Sequence, residues 1–341
     1  MDRDKWNDLA ASRSQILQSF EWGELKSNFG WEPLRIQVNE TTGISIQKRK
    51  LPFIKKCIFY SPRGPIVDFS DKKALSELIK AIKVEAEKHG ALFLRIDPEV
   101  EESDAVSIKN LKSFGFKKAK KEIQPRATFI LDLTKTEEEI MAGFESKFRY
   151  NIKLAERKGI NVVEDISDDG LAKYYKLYEM TSERDKFIIH PFSYYKKVME
   201  LIIRNGMGSL FLAYYKGEPV AGVIVFTFGK RAWYMYGASS NEHRSLMPNN
   251  LLHWQIIKWA KERGLKEYDL WGIPANPNMN HPLFGVYRFK KGFNATQHKF
   301  IGTYDLPFNK MLYDMFDRGI ILYQNAVRLI KKGSMSDSLG E

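Results

Sequence analysis

Leu251-Leu252-His253-Trp254-Gln255-Ile256-Ile257-Lys258-Trp259-Ala260-Lys261-Glu262-Arg263-Gly264 runs into Tyr268-Asp269-Leu270-Trp271-Gly272-Ile273-Pro274. Apolar residues recur at helical spacing up to a glycine stop, and a strand pattern follows it. The same order occurs earlier in the chain. Leu78-Ile79-Lys80-Ala81-Ile82-Lys83-Val84-Glu85-Ala86-Glu87-Lys88-His89-Gly90 leads into Leu92-Phe93-Leu94-Arg95-Ile96-Asp97-Pro98. The two glycines are 174 positions apart. After each strand comes an irregular stretch, then an aromatic-basic turn: Phe114-Gly115-Phe116-Lys117 in the first half, Phe289-Lys290-Lys291-Gly292-Phe293 in the second. Each turn is followed by a strand closing on Leu131-Asp132-Leu133 or Tyr304-Asp305-Leu306, at an offset of 173. Two offsets that agree within a residue indicate a duplication.

Working outward, residues 168–180 and 192–203 read as helices, and 209–215, 220–228 and 232–237 as consecutive strands with hairpin chemistry at Lys216-Gly217 and Gly229-Lys230. Helices, an antiparallel meander, then a helix and further strands describe a mixed α/β sheet of the acyltransferase kind. Two such units are expected, which suits 341 residues. Residues 307–332 carry apolar side chains at helical spacing and read as a helix packing back on the first unit, with 333–341 a disordered tail. Arg318, Arg328, Lys331 and Lys332 leave an anionic membrane as its other docking surface.

A hydrophobic content of 43% excludes disorder, and a formal charge of +12 favours nucleic acid, phosphorylated substrates or anionic lipid as partner, or serves solubility alone. The single cysteine, Cys57, excludes an intrachain disulfide framework and a cysteine zinc site. The start Met1-Asp2-Arg3-Asp4-Lys5-Trp6 lacks the apolar core of a secretory signal, and the longest charge-free stretch, Leu270 to Tyr287, holds three prolines. A cytoplasmic protein is expected, with attachment to the inner face of a membrane left open. No phosphate-binding Gly-x-x-x-x-Gly-Lys loop, no Gly-x-Ser-x-Gly elbow and no paired histidines occur, so neither a nucleotide cofactor nor a catalytic metal is expected.

Three clusters carry candidate chemistry. Ser146 to Gly159 is the densest basic element, with Arg149, Lys153 and Arg157 on one helical face and Lys147 and Lys158 beside them. A solvated face is the ordinary explanation of such a run. Only Glu145 and Glu156 offset the five cations, and Phe148 and Tyr150 interleave, which suits an RNA backbone or a sugar diphosphate. Trp233-Tyr234-Met235-Tyr236-Gly237 places Tyr234 and Tyr236 on one strand face, as core tyrosines or as phenols orienting a polar substrate in room left by Gly237. Lys290, between aromatics at an expected strand edge, is a surface cation or an oxyanion stabiliser.

The basic helix, Tyr234-Met235-Tyr236-Gly237, Tyr268-Asp269-Leu270-Trp271-Gly272, Phe289-Lys290-Lys291-Gly292-Phe293 and the opening Gln18-Ser19-Phe20-Glu21-Trp22-Gly23-Glu24-Leu25-Lys26 together resemble the FemABX family of peptidoglycan aminoacyltransferases over nearly the whole chain. The resemblance implies tandem GNAT-like domains, here 1–134 completed by the helix at 307–332, and 135–306. It also implies transfer of an amino acid from aminoacyl-tRNA to an amine of a UDP-linked or lipid-linked muropeptide precursor, with no cofactor. By the same resemblance Lys290 is the catalytic residue, and Lys26 and Asp97 bind the precursor with Tyr234 and Tyr236, while the charge of the basic helix offers Lys147, Arg149, Lys153, Arg157 and Lys158 for contact with tRNA or phosphate. Where a relative carries a phosphate-binding arginine before a proline, this chain has His190-Pro191 followed by Tyr194, with Arg184 as an alternative cation. The long helical-hairpin arm of some relatives is missing.

Two other functions stay open on the residues. An acyl-CoA-dependent N-acyltransferase shares the fold, but its phosphate loop needs glycines, and Ser239 to Asn250 contains none. A non-catalytic RNA-binding module is the third reading.

Overall fold

A computed structural model of the chain describes residues 2–52 and 54–316. In chain order the first helices are α1 (Arg3–Ala11) and α2 (Phe20–Ser27), followed by β1 (Glu32–Gln37), β2 (Gly43–Lys50), β3 (Cys57–Ser61), α3 (Lys72–His89), β4 (Ala91–Ile96), α4 (Ala105–Ser113) and β5 (Lys117–Lys118). Next come β6 (Ala127–Asp132), α5 (Glu137–Gly143), α6 (Ser146–Arg157), β7 (Asn161–Glu164), α7 (Asp168–Asp185), α8 (Phe192–Leu201), β8 (Gly208–Tyr215), β9 (Glu218–Phe228) and β10 (Arg231–Ser239). The last are α9 (Pro248–Glu262), β11 (Glu267–Ile273), α10 (Phe284–Lys291), β12 (Thr296–Lys299) and β13 (Tyr304–Pro307).

The duplicated helix-strand pairs form as the pattern predicts. The Asp71 side chain caps α3 by accepting from the amides of Lys73 and Ala74, and Gly90 ends it at φ 65°, a left-handed turn that glycine adopts without strain. Leu75, Leu78, Ile79, Ile82 and Ala86 bury the inner stripe of α3. In the second copy Pro248 opens α9, Gly264 follows it at φ 71°, and Leu252, Ile256, Ile257 and Ala260 are fully buried. The turn between β8 and β9 has positive φ at both Lys216 and Gly217, the geometry that matches strand twist in a two-residue hairpin.

Two mixed sheets result, one of order β1-β2-β3-β4-β13-β5 and one of order β12-β6-β11-β10-β9-β8-β7. They divide the chain into one unit of Met1–Gln124 with Phe300–Glu341 and a second unit of Pro125–Lys299. This differs from the division expected at 134 and 306. Strand β6, expected to close the first half, ladders with β11, while β13, expected to close the second, ladders with β4. Each half therefore supplies a strand to the other half's sheet. A strand pattern specifies that a segment will pair but not its partner.

The first unit has its core between the sheet and α3, around Ile44, Ile46, Phe59, Leu78 and Leu94. Cys57 is a buried strand residue of that core. On the other face residues 310–316 are helical, and Leu312, Tyr313 and Phe316 pack against Leu92 and Phe93. The rest of the expected helix at 307–332 and the tail at 333–341 lie outside the described residues. Arg95 on β4 makes two 2.7 Å hydrogen bonds to the fully buried Asp305 of β13, which also accepts from the Tyr313 hydroxyl at 2.8 Å. Asp305→Ala leaves a guanidinium and a phenol facing an empty site. It should destabilise the first unit by about 3 kcal/mol, and an unchanged urea midpoint would show that the pair contributes nothing.

Candidate functional site

The second sheet is interrupted at its centre. Strands β10 and β11 run parallel and pair only where Arg231, Ala232 and Trp233 face Glu267, Tyr268 and Asp269. Beyond that point each strand keeps only its outer partner, β9 or β6, and each is bulged, β10 between Tyr234 and Tyr236 and β11 between Asp269 and Gly272. The sheet is therefore open between the two strands. In the first unit the equivalent pair, β3 and β4, stays laddered as far as Ser61 opposite Ile96. The next residue, Asp97, is fully buried and accepts from the Arg63 amide at 2.7 Å and the Tyr60 hydroxyl at 2.8 Å. Burial pushes its carboxyl above the usual range, and both oxygens are engaged by the strand and loop beside it.

One face of the opening is built around Lys290. This residue lies in the last turn of α10, on a helix and not at the strand edge expected from its neighbours. Its side chain is buried, and Nζ donates to the carbonyls of Gly272 at 2.8 Å and Trp271 at 3.3 Å, 5.2 Å from the centre of the Tyr234 ring. Burial pushes the amine down to about 7, and the Asp269 charge works in the opposite direction. Tyr234, desolvated beside it, is raised to about 12. His253 of α9 packs edge-on against Tyr234, with Nδ1 2.8 Å from the Tyr268 hydroxyl. Burial, then the nearby Lys290 charge, lowers His253 to about 3, so the imidazole is neutral, and among the described residues its buried Nε2 has no hydrogen-bond partner. Sequence reasoning missed His253 as a site residue. The signal available was a histidine within the apolar run Leu251-Leu252-His253-Trp254.

The opposite face is phenolic. Tyr236 meets Tyr178 of α7, Tyr195 of α8 and Phe226 of β9, and it is hydrogen-bonded to Tyr194. His190 stacks on Tyr194 at 3.9 Å between ring centres. Burial raises the phenols of Tyr178, Tyr195 and Tyr236, so all three are neutral donors. The pairing of Tyr234 with Tyr236 on one face is thus corrected. Tyr234 lies opposite Val225 but Tyr236 opposite Ile224, because the bulge at Met235 adds a residue and reverses the alternation. The space over Gly237 is filled by the Tyr234 ring, with which a Cβ there would collide. Arg184 donates to the carbonyl of Ser239 at 3.0 Å and to Asn241 Oδ1 at 3.1 Å, at the end of β10.

The cations of α6 divide. Lys147, Phe148 and Asn151 line a groove of about 590 Å³ together with Glu145, Arg244, Met247, Asn250, Arg288 and Lys291. Arg149 is turned about 200° from Lys147 around the helix and donates to the carbonyls of Ala142 and Phe144, capping the end of α5. The Arg157 guanidinium lies 6.0 Å from the Tyr150 ring centre, and Lys153 and Lys158 are exposed. The expected three-cation face is therefore not the face that lines the groove. In the first unit, Lys26 of α2 lies over its own helix neighbour Trp22, at 4.8 Å from the ring centre. Among the expected site residues the second unit groups Lys290 with Tyr234, and Tyr236 with Tyr194 and His190. Lys26 and Asp97 belong to the first unit.

A model of the FemAB family matches residues 3–216 and 205–318. A lipid II:glycine glycyltransferase of Staphylococcus haemolyticus (strain JCSC1435) is 27% identical across 91% of this chain and 92% of its own length. That alignment spans 385 positions, more than the 341 residues here, so the relative carries insertions that this chain lacks. The crystal structure of FemX superposes with a TM-score of 0.87 at 25% identity, covering 93% of this chain and 98% of that one. A tandem GNAT protein from the clavulanic acid biosynthesis pathway superposes with a TM-score of 0.51 at 12% identity, covering 89% and 93%, a likeness of fold alone.

The buried amine makes a prediction about stability. An unfolded lysine titrates near 10.5, so between about 7 and that value the unfolded chain holds a proton that the fold has released. Stability gained from this site rises with pH through that window, at up to about 1.4 kcal/mol per pH unit. Lys290→Met should remove that rise from unfolding curves. Identical slopes in wild type and variant would return Lys290 to an ordinary lysine.

Proposed function

The chain belongs to the FemAB family, and from that membership we propose that it is an aminoacyltransferase moving an amino acid from aminoacyl-tRNA to the stem-peptide amine of a peptidoglycan precursor. The observation that carries the reading is the buried Lys290 amine, with two of its three N–H groups on backbone carbonyls at the break in the sheet. The third is left for an oxygen of the substrate. In aminolysis the acceptor nitrogen adds to the ester carbonyl, and negative charge gathers on the carbonyl oxygen. The intermediate then collapses with cleavage of the ester C–O bond, and the proton lost by nitrogen ends on the ribose hydroxyl. An activated ester needs a neutral amine, proximity and an oxyanion partner more than a strong base. A pre-aimed ammonium in a dry site supplies the oxyanion partner without reorganisation.

The groove lined by Lys147, Arg244, Arg288 and Lys291 suits the phosphates of the donor's RNA end, and the phenolic face suits a polar acceptor. An acyl-CoA donor is disfavoured because the segment before α9 holds left-handed backbone at His243 and Met247 without a glycine, where a pyrophosphate cradle needs close backbone approach. The staphylococcal relative is named for lipid II and glycine, so a lipid-linked precursor and glycyl-tRNA are the first pair to try. Attachment at the membrane surface fits such an acceptor, and among the described residues no helix is long and apolar enough to cross a membrane.

The test is transfer of label from a pool of radiolabelled aminoacyl-tRNAs to lipid-linked and nucleotide-linked precursors, with acyl-CoA donors run in parallel. Label arriving only from tRNA is the expected result, and Lys290→Met should lower the rate by about 10²–10³-fold. Label from CoA alone would overturn the reading. Lys147, Arg288 and Lys291 changed together to Gln should weaken tRNA binding and flatten its salt dependence by about two to three in log–log slope. An unchanged slope would remove the groove from the donor site.

A further inference from the structure

Beside Lys290 the chain contains a device that the reaction scheme above does not use. From Asp269 to Gly272 β11 advances three residues while its partner β6 advances two, from Ile130 to Thr128. The extra residue is accommodated by Trp271 at φ 58°, a left-handed conformation that is costly for a bulky side chain. It is held there by Asp269, whose Oδ1 accepts the Trp271 amide at 2.8 Å and the hydroxyl of Thr128. The same hydroxyl oxygen lies 3.1 Å from the Trp271 carbonyl, and Gly272 passes so close to Pro125 that a Cβ would overlap its ring.

The fold itself does not require this bulge. The first unit builds the equivalent strand pair, β4 on β13, in regular register from Phe93 opposite Pro307 to Ile96 opposite Tyr304. Nor does a tight turn require a carboxylate that is 1% exposed, since a buried charge is costly and an asparagine would accept the same amide. What the bulge does produce is the pair of carbonyls, Trp271 and Gly272, that take two protons of the Lys290 amine.

We propose that Asp269 and Thr128 are positioning residues for the transfer reaction: they fix the β11 bulge that aims the Lys290 amine, and Asp269 provides its buried counter-charge. The proposal rests on the aminoacyltransferase reading for its effect on rate, but not for the geometry. The other titratable groups around the amine are Tyr234 from β10, His253 from α9 and Tyr268 from β11, all neutral near pH 7. Arg231 of β10 stands 3.9 Å from the second oxygen of Asp269 and pairs more closely with Glu267, at 2.6 Å. Among the described residues, Asp269 is thus the anion that favours the charged form of Lys290.

The experiment follows the Lys290 resonance by NMR in full-length protein labelled with [ε-13C]lysine, assigned by its loss in Lys290→Met, alongside the pH profile of kcat. In Asp269→Asn the amine should titrate about one unit lower than in wild type, and the alkaline limb of kcat should move with it. Acceptor KM should be unchanged. Thr128→Val should lower kcat about tenfold, with Thr128→Ser recovering most of the loss. A wild-type titration in Asp269→Asn accompanied only by lower thermal stability would overturn the proposal, as would equal rates in Thr128→Val and Thr128→Ser. If Asp269→Asn fails to fold, the two Thr128 variants decide. If wild type transfers nothing, the function fails while the lysine titration still decides the positioning role.

Discussion

The second unit depends on a ladder that stops. Parallel strands gain by continuing to exchange hydrogen bonds, and in the first unit β3 and β4 do so to their ends. Strands β10 and β11 give up that gain after three residue pairs, because a bulge in each turns its backbone away from the other. The sheet is left with a gap flanked by an amine on one face and phenols on the other. A gap of this kind is tolerable only where other elements secure the strands on either side. Here β9, buried along nearly its whole length, holds β10, while β6, itself laddered to β12, holds β11.

The duplication explains how one copy can specialise. Both copies run helix, strand, helix and closing strand, yet corresponding positions carry different chemistry. The first copy places Arg95 on β4, joined to Asp305 in a buried pair that also holds the Tyr313 hydroxyl. The second copy places Asp269 on β11, joined to the hydroxyl of Thr128 at a bulge. In the first case the charge is neutralised across a regular ladder and serves cohesion. In the second it stands 3.9 Å from Arg231 and also acts on an amine in a dry site, where a charge has its largest effect.

Much of this was legible in the sequence, and what was not has definite causes. Helix stops at Gly90 and Gly264, the meander from β8 to β10 and the repeat offset are set by local chemistry, so they can be read from one chain. The partner of a closing strand is not local, so chain order alone places β6 and β13 in sheets other than the ones they join. Simple alternation places Tyr234 and Tyr236 on one face, and the strand departs from it at Met235, since a bulge leaves no mark in an unbroken apolar-aromatic strand. Arg149 belonged to a correctly identified basic helix but caps the preceding one, because only the three-dimensional turn brings the carbonyls of Ala142 and Phe144 within reach. Lys290 was legible as a residue and illegible as a geometry. Its helix, and the two carbonyls eighteen and nineteen residues upstream that receive its protons, belong to the tertiary fold.

The surroundings of that lysine reconcile two demands that conflict in water. In the proposed transfer the acceptor amine must be neutral, which alkaline conditions favour, whereas Lys290 would stabilise an oxyanion best as a cation, which acid favours. A lysine with its ordinary affinity for protons would be charged at every relevant pH, but a surface ammonium is mobile and shielded by solvent. Burial beside Tyr234 and His253 removes the solvent and lowers the amine to about 7, close to losing the charge altogether. The carbonyls of the bulge and the carboxylate of Asp269 return part of what burial takes, and the carbonyls do so directionally. With two protons fixed on β11, the direction of the third is no longer free. The bulge that separates the strands is thus also what aims the charge, so the opening and its electrostatics arise from one distortion of the sheet.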